Sequence, residues 1–168
     1  LFNRATQALR QTGSSFKTIV YAAALEMGYS PNDIVNDEQI TINLPGSNSW
    51  IPKNYLNTFN GEVTLTKAFS ESLNIPAVKI SEIVGRTSVS ELGNKFGLFS
   101  NPNNGPAIAL GTSEATLLDL VGAYATILNQ GTRVEPFGWK KLQLEKNKNE
   151  TLMIKSERPN MKIINSET

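Results

Sequence analysis

The apolar run Thr18-Ile19-Val20-Tyr21-Ala22-Ala23-Ala24-Leu25 constrains this chain most. Gly28 follows closely, a residue suited to the position after a helix C-terminus, so the pattern predicts a helix over about 14–27. The run is preceded by Gly13-Ser14-Ser15-Phe16-Lys17. Ser14 and Lys17 are three residues apart, a spacing that puts two side chains on one helix face. Their hydroxyl and amine can therefore meet at the helix N-terminus, beside a glycine where backbone approaches a ligand closely.

A serine hydroxyl needs a base before it attacks a carbonyl. A lysine with its ordinary pKa of about 10.4 is a poor base near neutral pH. Burial disfavours the ammonium, and so does the partial positive charge of a helix N-terminus, so both push Lys17 toward its neutral form. Taken alone, S-x-x-K is common and more often reads as a Ser cap before a surface lysine, so other residues must decide. The composition narrows the choice. The chain has no histidine and no cysteine, which removes Ser-His-Asp triads, Cys-His dyads, His-based zinc sites and Cys-based clusters.

The 168 residues suit one domain with a sizeable core. Sixteen basic residues against fifteen acidic ones leave a net charge of +1, no footprint for a polyanion, so nucleic acid is not an expected partner. No stretch approaches the roughly 20 apolar residues that span a bilayer. The chain opens Leu-Phe-Asn-Arg, with neither Met nor a signal pattern, and reads as a piece of something longer.

Ser30-Pro31-Asn32-Asp33 predicts a turn, and the alternation from Gln39 to Leu44 a short strand or extended segment. Trp50 sits in a Ser/Asn/Pro-rich loop, as a packing anchor or as the lining of a groove. Thr64 begins a second helix, with Leu65, Ala68, Phe69 and Ser72 on one face and an end near Asn74. Pro76 suits the first turn of a third helix, about 76–84, closed by Gly85. A fourth runs over about 88–96, closed by Gly97, and residues 101–106 form an irregular loop. Thr116-Leu117-Leu118-Asp119 resembles a capping box. The helix after it carries Leu117, Leu120, Val121, Tyr124, Ile127 and Leu128 on one broad face, a stripe expected to be core. After Pro136 the period changes to alternation, with Lys146 to Asn149 as a turn and Thr151 to Ile154 as a return strand. The last residues are polar and carry no signal.

The second helix ends Ser70-Glu71-Ser72-Leu73-Asn74-Ile75-Pro76-Ala77-Val78. S-x-x-K followed by S-x-N is the motif order of the penicillin-recognising serine enzymes. With Phe2-Asn3-Arg4-Ala5, Trp50-x-Pro52-x-Asn54, Ala109-Leu110-Gly111, Ala123-Tyr124-Ala125 and Asn129-x-Gly131, the chain resembles the transpeptidase domain of class A penicillin-binding proteins over residues 2 to about 136. That resemblance implies Ser14 as the acyl-accepting nucleophile and Lys17 as its base. It implies Ser72 as a proton relay to the leaving amine, and Asn74 as the group holding Lys17 and the substrate backbone. Trp50 and Asn54 would contact substrate. It implies no cofactor and no metal. The implied partners are peptidoglycan stem peptides, β-lactams, and the remainder of the polypeptide: a membrane anchor, a glycosyltransferase domain and a C-terminal sheet. The implied location is the bacterial cell envelope, on the outer face of the cytoplasmic membrane, with no membrane segment inside this chain.

Thr12 and Thr18 stand where the family usually has proline, and the family's third motif, K-T-G, does not occur; Lys155 and Lys162 lack its pattern. The expected fold is therefore mainly α with short β segments: the helical lobe of an α+β transpeptidase fold, without most of its central sheet. Residues 1–168 form a partial transpeptidase domain, and 137–168 a β-hairpin and tail leading toward that sheet. Two rival readings stand beside it. One is a serine β-lactamase, with Glu91 or Glu114 as deacylating base. The other is an inactive, truncated or sensor-like binding module, favoured by the missing third motif.

Overall fold

Helix α1, Lys17–Glu26, is buried almost all round: Ile19, Val20, Tyr21, Ala22, Ala23 and Ala24 all lie in the core. The computed structural model describes residues 1–44, 46, 48–98, 104–139, 141–147, 150–155 and 160–168. Around α1 pack α2 (Leu65–Ser70), α3 (Asn74–Val84) and α4 (Arg86–Lys95). Helix α5 is Leu117–Leu128. Among the described residues, the strands form three two-stranded antiparallel sheets. They pair β1 (Arg10–Gln11) with β4 (Glu114–Ala115), β2 (Ile34–Asp37) with β3 (Gly61–Thr64), and β5 (Lys141–Asn147) with β6 (Glu150–Lys155). The expected mainly helical lobe with small sheets is the architecture observed.

The helix starts follow their capping chemistry. Thr64 Oγ1 accepts the Lys67 backbone N–H at 3.1 Å and opens α2. Thr116 Oγ1 accepts the Asp119 N–H at 3.1 Å while Asp119 Oδ2 accepts the Thr116 N–H at 3.2 Å, the reciprocal box expected from the sequence. Of the turn expected at Lys146 to Asn149, Lys146 and Asn147 belong to β5 instead, and 148–149 lie outside the described residues, as do 101–103 of the expected loop.

Four expectations are corrected. Of the two alternatives for Gln39 to Leu44, the strand is not formed: among the described residues its one ladder contact is the antiparallel bridge of Ile42 with Trp50. The strands there are instead β2 and β3, which sequence alternation did not single out. Helix α2 ends at Ser70, before Ser72, for the reason given with the site below. The stripe on α5 is core only in part: Leu120 and Ile127 pack against it. Leu117, Val121 and Leu128 are 59, 56 and 87% exposed, whereas Ala123 and Thr126 are buried. A period of 3.6 reveals an apolar face but not what lies against it. Here Ala123, with Leu120 and Ile127 beside it, meets the core, while Leu117, Val121, Tyr124 and Leu128 face outward. Finally, the polar tail is anchored. Ile164 is buried, Ile163 N–H donates to Gly131 O at 2.7 Å, and Asn165 N–H donates to Glu26 Oε1 at 2.7 Å.

The exposed face of α5 should make the isolated 168-residue chain self-associate. Val121→Lys with Leu128→Lys should restore a monomer in light scattering after size exclusion. Its unfolding free energy should stay within about 0.5 kcal/mol, since neither side chain fills the core. A monomeric wild-type chain would contradict this.

Candidate active site

Residues Gly13–Phe16 form a 3-10 turn that runs into α1, so the helix proper starts at Lys17 and not near residue 14. In a 3-10 turn positions i and i+3 eclipse, which aligns Ser14 with Lys17 more closely than an α-turn does. The turn is held on both sides. Gly13 N–H donates to Gly111 O at 3.0 Å and Thr12 N–H to Ser113 O at 3.2 Å. The backbones of Gly111 and Gly13 nearly touch: a Cβ on Gly111, whose φ is +70°, would lie 2.1 Å from Gly13 O. From α5, Tyr124 Oη donates to Ser15 O at 2.9 Å and meets Thr18 Oγ1 at 3.0 Å. Ser14 itself is exposed, and its hydroxyl has no hydrogen-bond partner among the described residues.

Lys17 is 1% exposed. Its amine meets three oxygens: Ser72 O at 2.6 Å, Asn74 Oδ1 at 2.7 Å and Ser72 Oγ at 3.1 Å. The structure thus brings Lys17, Ser72 and Asn74 together directly. Ser14 stands one turn before Lys17 without bonding to its amine. Burial lowers the Lys17 pKa to about 8.

Ser72 reaches the amine because α2 stops short. Leu73 N–H donates to Ala68 O at 2.9 Å and Ser72 N–H to Phe69 O at 3.0 Å, the double closure of a Schellman C-cap. Ser72 occupies the left-handed position of that cap, with φ +54°. Glycine is usual there, and a serine pays of order 1–3 kcal/mol in strain, as functional residues often do. The conformation turns both the carbonyl and the hydroxyl of Ser72 toward Lys17.

Asn74 is the first residue of α3, and Leu73 before it provides no side-chain cap. Asn54 does so from another loop: its Oδ1 accepts the N–H of Asn74 at 2.9 Å and of Ile75 at 3.2 Å. Asn54 Nδ2 donates to Asp37 Oδ1 at 2.7 Å and to Thr58 O at 2.9 Å. With two bonds on each side of its amide and the residue buried, Asn54 has no group left for a substrate. Asn74 Nδ2 donates to Lys53 O at 2.9 Å, which directs Oδ1 at Lys17. Trp50 is half-buried and packs against the core, in an antiparallel bridge with Ile42. Asp37 carries no signal in the sequence, because between Asn36 and Glu38 it reads as part of a polar run. Glu91 and Glu114 are both exposed, and neither bonds to Ser14, Lys17, Ser72 or Asn74.

The family model of the penicillin-binding protein transpeptidase domain matches residues 1–168. The chain belongs to the penicillin-binding protein transpeptidase family. Penicillin-binding protein 1A of Rickettsia typhi is 46% identical over 136 residues, which are 80% of this chain and 17% of that protein. A crystal structure of penicillin-binding protein 1A from Haemophilus influenzae superposes with a TM-score of 0.78 at 37% identity, covering 81% of this chain and 20% of that one. A ceftriaxone acyl-enzyme complex of penicillin-binding protein A from M. tuberculosis matches with a TM-score of 0.67 at 28% identity, covering 79% of this chain and 35% of that one. These relatives support the class A transpeptidase assignment. The chain spans under a fifth of the first relative's length.

In this penicillin-binding domain, Gly111→Ala should cost roughly 1–3 kcal/mol of stability, because the left-handed φ and the contact with Gly13 O are both violated. Urea unfolding checks this. A neutral result would mean that the two backbones can separate freely.

Proposed function

We propose that this chain carries the acyl-transfer centre of a peptidoglycan D,D-transpeptidase, with Ser14 as the residue acylated. The observation that carries the reading is the buried Lys17 amine, held by Ser72 and Asn74 one turn from an exposed serine. A neutral amine has two hydrogens and one lone pair. Ser72 O and Asn74 Oδ1 can only accept, so they take both hydrogens. The lone pair is left for a hydroxyl. Ser14 Oγ–H gives its proton to that lone pair as Oγ attacks the penultimate D-Ala carbonyl carbon of a stem peptide. The C–N bond to the terminal D-Ala then breaks, and the departing amine takes a proton from Lys17 through Ser72 Oγ. The resulting Ser14 ester is attacked by an amine of a neighbouring stem. That amine loses its proton by the reverse route, and Ser14 leaves with a hydrogen restored. A β-lactam carbonyl would enter the same first step, the ring C–N bond breaking in place of the peptide bond.

Stabilising the developing oxyanion requires preorganised donors. The Ser14 backbone N–H is one. The second, with the carboxylate site, belongs in this reading to a K-T-G strand of the rest of the polypeptide, toward which the hairpin of β5 and β6 would lead. Such a protein works on the outer face of the cytoplasmic membrane. Among the described residues of this chain no helix is long and apolar enough to cross a membrane.

In the full-length protein, intact-mass and peptide mapping after incubation with penicillin should place the adduct on Ser14. Adducts on Ser15 or Ser72 instead would overturn the assignment. Lys17→Ala and Lys17→Arg should each lose on the order of 10²–10⁴ in acylation rate, because arginine keeps the charge but cannot take a proton. Rescue by arginine would mean that Lys17 acts through charge alone.

The pH dependence follows from the lowered Lys17 pKa. The reactive form is the neutral amine, so acylation should rise with pH through a midpoint of about 8 and level off above it. At pH 7 about one-tenth of the sites would be competent, against far below one-hundredth with an unperturbed lysine. A stopped-flow profile that is flat from pH 6 to 9 would remove Lys17 as the base.

A further inference from the structure

We infer that Asn54 and Asp37 are positioning residues of the acylation centre: a buried carboxylate–amide pair that fixes Asn74 and, through it, the Lys17 amine. This inference rests on the acyl-transfer reading of the site above.

Asn74 is gripped at two points by one dipeptide. Lys53 O takes its side-chain Nδ2–H, and Asn54 Oδ1 takes its backbone N–H. Rotation of the Asn74 amide and sliding of the α3 N-terminus are both blocked by the same loop. That loop is in turn tied to Asp37, at the end of β2, by the 2.7 Å bond from Asn54 Nδ2. Asp37 is fully buried. Its second oxygen accepts Asn60 Nδ2–H at 2.7 Å and Asn60 N–H at 3.0 Å. No lysine or arginine forms an ion pair with it among the described residues.

A buried carboxylate paired only with amides is an expensive way to hold a loop, because several polar groups must stay satisfied at once. The arrangement has two consequences. It fixes the donor and acceptor sense of the Asn54 amide, since Nδ2 must face Asp37 and Oδ1 must therefore face α3. It also places a negative charge one hydrogen-bonded residue from the positive end of α3. A simple cap on Leu73 would stabilise the helix equally well, but it would not specify where the Asn74 amide points. Lys53 O sets that direction, and the Asp37–Asn54 pair holds the Lys53–Asn54 dipeptide where it can, so the Asn74 Oδ1 contact with Lys17 depends on the pair through that loop.

The test uses the full-length protein with Asp37→Asn, Asn54→Asp and the exchanged pair Asp37→Asn with Asn54→Asp. Asn54→Asp keeps the oxygen that caps α3 but sets a carboxylate against Asp37. The exchange restores one donor and one acceptor between the two positions, while Thr58 O loses the Asn54 Nδ2–H it accepts here. Penicillin acylation rates, their pH midpoints and thermal melts are measured for each. A second readout, independent of acylation, is the pH midpoint of Lys17 modification by trace acetic anhydride, followed by peptide mass. Each single variant should acylate about 10- to 100-fold more slowly, the range expected for small misplacements of a reacting group. In each, the Lys17 midpoint should rise above about 8 as water reaches the amine. The exchanged pair should acylate at least roughly fivefold faster than either single variant, with its Lys17 midpoint moved back toward about 8; the lost bond to Thr58 O keeps the recovery short of complete.

Three results would overturn the inference. Single variants that melt lower but keep the wild-type rate and midpoint would assign the pair to stability alone. Impaired singles that the exchange does not rescue would separate Asp37 from Asn54. A weaker apparent affinity for penicillin on changing Asn54, with maximal rate and midpoint unchanged and Asp37→Asn silent, would make Asn54 a substrate contact. If the wild-type protein is not acylated on Ser14, the acyl-transfer reading fails, and the Lys17 midpoints still decide whether the pair positions the amine.

Discussion

An amine buried among oxygens governs the rest of this structure. Lys17 opens a helix whose next seven residues are nearly all core, so its side chain cannot reach open solvent without unpacking α1. Burial of an ammonium costs several kcal/mol unless acceptors surround it. Ser72 O, Ser72 Oγ and Asn74 Oδ1 supply them at 2.6–3.1 Å. The net result is a lysine destabilised enough to lose its proton near pH 8, yet held in one place. Complete desolvation without partners would expel it, and full hydration would return it to its ordinary pKa.

The surroundings follow from that requirement. The acceptors must come from outside α1, because a helix has no free backbone carbonyls in its first turn. They come from the break between α2 and α3, where the chain turns sharply enough to present a carbonyl, a hydroxyl and an amide within three residues. A continuous helix over 65–84 would keep its carbonyls bonded internally and splay Ser72 and Asn74 to different sides. The left-handed backbone at Ser72 is the local cost of the break. The Ser14 side has its own anchor, the contact of Gly13 with Gly111 and the Tyr124 hydroxyl from α5. Ser14 and Lys17 thus sit on one rigid turn, and the groups that tune Lys17 sit on another.

Much of this was legible in the sequence wherever a residue type has a short-range job. The Thr64 and Thr116 caps, the Gly85 stop and the hairpin alternation all act within a few residues, and the structure follows them; the Ser14–Lys17 spacing puts the two residues one turn apart without joining their side chains. What escaped depends on distant partners. Ser72 looked like one more helical residue, because a left-handed serine has no sequence mark that a left-handed glycine would have. Asn54 suggested a ligand contact and instead caps a helix some twenty residues away. Asp37 gave no sign at all. The α5 stripe was read as core because periodicity cannot distinguish a face covered by this chain from one it leaves open.

The site is asymmetric. The Lys17 amine is buried while both hydroxyls, Ser14 and Ser72, lie on the surface. Among the described residues the oxygens on Lys17 are those of Ser72 and Asn74. The lowered pKa therefore needs nothing beyond α1 and the break between α2 and α3. In the acyl-transfer reading proposed above, the amine is thus prepared before any substrate arrives, and the two exposed hydroxyls are the groups a peptide can reach.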